Sequence, residues 1–127
     1  MKPQTGSFLA SADLALAEAH TILAAKVPRQ AARLAYYAQF HAAQALIFER
    51  TGKIAKTHKG VNQQFHGVAR TEPTCPSDLP AQLTKAYIYK ENADYDGNTS
   101  APVTAAVASD AIATAERFVA AVRQAIA

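Results

Sequence analysis

Residues 33–43 read RLAYYAQFHAA. In just over two helical turns they set a guanidinium, two phenols, a phenyl ring and an imidazole among alanines. The apolar positions do not alternate, so the period is helical. Extended in both directions, the segment from Pro28 to Arg50 carries Leu34, Tyr37, Phe40, Leu46, Ile47 and Phe48. These cover much of a helix circumference, and a helix apolar nearly all round belongs inside a bundle. Pro28 suits a first helical turn. Thr51 and Gly52 supply the stop.

Four more helical segments flank this one. Ser7 to Lys26 repeats leucine every seven residues at Leu9, Leu16 and Leu23, with Phe8 and Ile22 beside them. Thr57 caps a short helix from His58 to Ala69, with Val61, Phe65 and Val68 facing inward. Thr71 to Ser77, punctuated by Pro73 and Pro76, is a loop. A fourth helix runs from Asp78 to Tyr95, with Leu79, Leu83, Ala86 and Tyr87 as its inner stripe. Asp96, Gly97 and Asn98 form a turn. Thr99 or Ser100 then caps a fifth helix, with Pro102 in its first turn and Val103, Val107, Ile112, Phe118 and Val122 following.

Composition points the same way. The 127 residues fit one domain spanning 1–127, and 50% of them are apolar, enough for a core. There are 30 alanines, the best helix formers, and their small size lets helices approach closely. The expected fold is all-α: an antiparallel up-and-down bundle of four to five helices, with the second and fourth at its centre.

The net charge of +3 and pI of about 9.1 are a mild basic excess and give weak support for a nucleic-acid partner. Cys75 is the only cysteine, which excludes an intrachain disulfide. The four histidines show no metal-ligand spacing, so neither a metal nor a cofactor is expected. With no leader pattern and no long apolar run, a cytoplasmic location is expected.

Three constellations carry chemistry. Arg33, Tyr37 and His41 recur at i, i+4 and i+8, so they line one side of their helix. They either offer a polar strip to a phosphate or base, or pack inside the bundle and satisfy one another. Thr57, His58, Lys59 and Gly60 open a helix. Free amides, the dipole and Lys59 suit an anion there; a plain threonine cap with solvated His58 and Lys59 is the alternative. Lys90 and Asp94 stand at i and i+4 near the end of the fourth helix, with Tyr87 and Glu91 on the same side. That is either a polar site or a charge-paired, solvated last turn.

In this order the motifs resemble the HEPN superfamily (higher eukaryotes and prokaryotes nucleotide-binding), in particular its short stand-alone prokaryotic proteins. The resemblance runs from about Ala31 to Val119. It rests on Arg33 with Tyr36 and Tyr37, on Phe40 to Ala43, on Thr57 to Gly60, on Ala93 to Tyr95, and on Ala115 to Val119. It implies a helical bundle that often dimerises. Many relatives are ribonucleases built on an arginine and a histidine separated by four to six residues near the end of the fourth helix. Others pair with a minimal nucleotidyltransferase as toxin and antitoxin, and some bind nucleotides or act only as partners.

At the matching place this chain has Lys90 for the arginine and Tyr95 for the histidine. Lysine lacks the guanidinium fork, and a tyrosine with a pKa of about 10 is a poor base at neutral pH. The resemblance nominates Lys90, Asp94 and Tyr95 for any catalysis. The strip on the second helix and the opening of the third nominate Arg33, Tyr37, His41, His58 and Lys59 for contact with a nucleotide or RNA. The leading expectation is a homodimeric nucleotide- or RNA-binding or partner protein acting with a minimal nucleotidyltransferase in a toxin–antitoxin-type pair. A metal-independent endoribonuclease and a non-catalytic structural protein are the alternatives.

Overall fold

The computed structural model describes residues 1–94 and 102–127. Among the described residues five helices follow one another: α1 (Pro3–Ala24), α2 (Pro28–Thr51), α3 (His58–Ala69), α4 (Leu79–Asp94) and α5 (Ala105–Ile126). The fold is all-α, as the periodicity predicts. Tyr95, the turn at 96–98 and the expected caps Thr99 and Ser100 lie outside the described residues.

Local sequence sets the boundaries. Proline opens both α1 and α2, where a missing N–H costs nothing. α1 therefore starts at Pro3, four residues before the expected Ser7. Gly52 closes α2 in the left-handed region at φ 72°, and its N–H bonds the Phe48 carbonyl at 2.8 Å. Thr57 caps α3 by accepting the Gly60 N–H at 2.9 Å. The cap of α5 is Thr104, which accepts the Val107 N–H at 3.2 Å, so Pro102 precedes the helix instead of lying in its first turn.

α2 packs against every other helix, most extensively α1, then α5, then α4. Thirteen of its residues are buried, among them Tyr36, Phe40, Leu46 and Ile47. The central position of α2 matches the expectation, but the placement of the fourth helix does not. α4 buries only Leu79, Leu83, Ala86 and Asn92 and hardly meets α5, so the second layer of the core is α1 and α5. Alanine decides this. α1 buries Leu9, Ala12, Ala15 and Ala19, while Leu16 and Leu23 only flank the contact. Methyl-sized side chains bring α1 and α2 close, and the leucine repeat overstated the width of the buried stripe.

Side-chain ties give the helix directions. The Lys2 N–H meets Glu49 at 3.0 Å, so α1 and α2 run antiparallel. Arg29 donates to the Asn92 carbonyl at 3.1 Å, so α4 opposes α2. Arg50 reaches the Ala125 carbonyl at 2.8 Å, placing the ends of α2 and α5 together. The four long helices therefore alternate in direction. α3 is a short insert whose Phe65 stacks on Phe118 of α5 at 5.3 Å. No described helix is long and apolar enough to cross a membrane.

Candidate functional site

The antiparallel pairing of α2 and α4 brings the first turns of α2 beside the end of α4. Two cations converge there on one carboxylate. Arg33 Nε donates to Asp94 Oδ1 at 2.9 Å, and Lys90 Nζ lies 2.8 Å from Asp94 Oδ2. The hydrogen bond from Lys90, with the Arg33 charge beside it, holds the Asp94 carboxyl below its usual range. The same bond raises the Lys90 ammonium. Each cation also leans on a ring: Arg33 stands 5.0 Å from the centre of Tyr37, and Lys90 5.8 Å from that of Tyr87.

Behind the charges lies an aromatic cluster. Tyr36 packs edge-on against Tyr37 at 5.3 Å and Tyr87 at 5.6 Å. His58, the first residue of α3, sits 5.0 Å from Phe40 and 5.3 Å from Tyr87. The Tyr36 phenol oxygen is 2.8 Å from His58 Nδ1. Tyr36 is only 2% exposed, and burial pushes its phenol further up from its ordinary value, so it stays protonated. A buried hydroxyl proton needs an acceptor, and among the described residues Nδ1 is the one within reach. His58 therefore keeps its hydrogen on Nε2. Burial, and next the Lys90 charge, lower the pKa of this imidazole, so it is neutral at pH 7.

A cleft of about 200 Å³ opens against this cluster, lined by Tyr36, His58, Lys59, Asn62, Thr84 and Tyr87 among others. Lys59 is exposed on its rim. The Gly60 amide is taken by the Thr57 cap and is not available to an anion.

The structure thus unites most of the nominated residues. Arg33, Lys90 and Asp94 form one ionic group, with Tyr37 and His58 adjoining. His41 is elsewhere in role: its Nδ1 meets Gln44 Oε1 at 2.9 Å, and Gln44 Nε2 holds the Ala55 carbonyl at 2.8 Å. That chain pins the segment leading into α3 and so positions His58. Tyr36 and Tyr87 were missing from the nominated residues. The i, i+4 strip through Tyr37 diverts attention from Tyr36, and only the α3 contact gives the Tyr36 hydroxyl its role.

A model of the HEPN domain matches residues 6–125, nearly the whole chain. The chain belongs to the HEPN family. No curated protein matches it in sequence. Within this HEPN chain Lys90 is a point charge engaged with Asp94. Among the described residues no group of three His, Cys, Asp or Glu side chains can hold a metal ion.

Proposed function

We propose that this HEPN protein binds RNA or a nucleotide through the joined ends of α2 and α4, as a homodimer acting with a minimal nucleotidyltransferase in a toxin–antitoxin-type pair. The convergence of Arg33 and Lys90 on Asp94 carries the binding part of the proposal. Two cations held in register by a carboxylate stand ready for a phosphate, because a bound oxyanion takes over the role of Asp94. The neutral Nε2–H of His58 adds a donor, and the adjoining rings offer faces to a base. The pairing and the dimer rest on the family resemblance.

The test is a titration of labelled single-stranded RNA against wild type, Arg33→Ala and Lys90→Ala at two salt concentrations. Each variant is expected to bind more weakly and to show a shallower salt dependence. Unchanged affinity in both variants would remove the α4 end from function. Light scattering across micromolar concentrations checks the dimer, and co-purification with the neighbouring gene product checks the partner.

A second reading, the metal-independent endoribonuclease, draws on the same neutral imidazole beside two cations. It requires His58 or Tyr95 to move a proton. Cleavage of labelled RNA that is lost in Tyr95→Phe or His58→Gln, with binding retained, would select it over the first.

A further inference from the structure

α4 and α5 hardly touch along their length, and the space between them is a groove of about 540 Å³ floored by α2. That is within the range of roughly 300–1,000 Å³ common for small-molecule sites. Ala35, Ala86 and Ala111 are buried at its base, and Ile88, 51% exposed, stands at its edge. Gln39 lies among the alanines. It is 2% exposed, and its Oε1 is buried without a hydrogen-bond partner. Gln82, from α4, donates from Nε2 to Asp78 at 2.7 Å, but its Oε1 is likewise buried without a partner.

The rim is charged. Asp78 and Lys85 stand on the α4 side, Asp110 and Arg117 on the α5 side, and all four are exposed. Among the described residues none of the four belongs to an ion pair, along its own wall or across the groove. The lining therefore carries two charges of each sign and no net charge.

Each layer of the groove asks for a different part of a ligand. Two orphaned amide oxygens call for N–H donors, because a buried acceptor left unpaired is costly. The terminal torsion of glutamine is soft, so either oxygen turns toward the groove at small cost. A cation alone would meet Lys85 and Arg117, and an anion alone would meet Asp78 and Asp110. A molecule that carries both charges meets an opposite partner at each end. Its ammonium brings three donors for the amide oxygens and the carboxylates. Its carboxylate accepts from Lys85 and Arg117. An apolar side chain then buries against the alanines and Ile88.

We propose that the α4–α5 groove is a second binding site, for a zwitterionic α-amino acid with an apolar side chain. Gln39 and Gln82 recognise the ammonium, and Lys85 and Arg117 the carboxylate. The site uses neither Arg33 nor Lys90, so it stands independently of the phosphate-binding proposal.

The experiment titrates L-leucine against the full chain beside three analogues, with binding read by NMR shift changes or calorimetry. 4-Methylpentanoate lacks the ammonium, 3-methylbutylamine lacks the carboxylate, and N-acetyl-leucinamide is neutral. Leucine is expected to bind about tenfold or more tighter than each of them. Gln39→Leu removes the orphaned carbonyl, so it is expected to fold at least as well as wild type. It should bring leucine down to the level of 4-methylpentanoate. Gln82→Leu is expected to weaken the same preference and serves if the first variant misfolds. Lys85→Ala combined with Arg117→Ala changes only exposed positions and should bring leucine down to the level of 3-methylbutylamine. The proposal is overturned if leucine does not bind, if any of the three analogues binds as tightly, or if the glutamine variants keep the preference for the ammonium.

Discussion

Tyr36 and His58 are joined by a 2.8 Å hydrogen bond across 22 positions of sequence, from the middle of α2 to the first residue of α3. The bond fixes which imidazole nitrogen carries hydrogen. Nitrogen NMR of the His58 ring is expected to show the Nε2–H tautomer in wild type. In Tyr36→Phe a mixture of the two tautomers is expected. A wild-type ring with its hydrogen on Nδ1 would refute the donor assignment.

The lowered pKa of His58 links stability to pH. The unfolded chain takes this proton near the ordinary value of 6.5, before the folded chain does. The unfolded state then binds more protons, so stability is complete above pH 6.5 and declines as pH falls toward the folded pKa. Glu49 and Asp94, also lowered, add a separate loss at more acid pH. Denaturation midpoints between pH 7 and 5 should fall in wild type and stay flatter in His58→Gln. Parallel slopes would assign the dependence to another group.

Asp94 offsets part of the charge of the two cations it holds. If its part is to keep them in register until an oxyanion arrives, Asp94→Asn should strengthen RNA binding by roughly threefold, the scale of one exposed ion pair. If binding instead weakens along with Arg33→Ala, then Asp94 positions the cations more than it competes for them.

Phe40 is 6% exposed and packs on Tyr36, Tyr37, His41 and His58. Phe40→Ala should cost on the order of 3–5 kcal/mol through lost transfer energy and the cavity left behind. Chemical denaturation with a loss below about 1 kcal/mol would contradict its burial.

Gly60 leaves room for the cap. A Cβ there would stand 2.8 Å from Thr57 Oγ1, nearer than the hydroxyl can tolerate while it accepts the Gly60 N–H. Alanine gains up to about 1 kcal/mol of helix propensity, while the displaced cap loses a similar amount. Gly60→Ala should therefore be close to neutral alone, yet stabilising in a Thr57→Ala background. A double-mutant cycle in denaturant measures this coupling, expected near 1 kcal/mol. Additive effects would mean that the cap is not under steric constraint.

Sequence alone determined the helices and the Thr57 cap. The 3.6-residue period, the prolines at 28, 73 and 76, Gly52, and Thr57 with its bond to Gly60 act within a few residues, so they can be read locally. The i, i+4 pairing of Lys90 with Asp94 is equally local and was legible. Sequence also supplied the family, because the motifs keep their order whatever their contacts.

Tertiary structure decided the rest. That Arg33 completes the ionic group depends on α4 lying antiparallel to α2, 61 positions away. That His58 is neutral and bonded to Tyr36 depends on α3 folding back over α2. The peripheral place of α4 follows from alanine contacts that apolar patterning ranks below leucine. Local rules fix which residues share a face, and only packing fixes what each face meets.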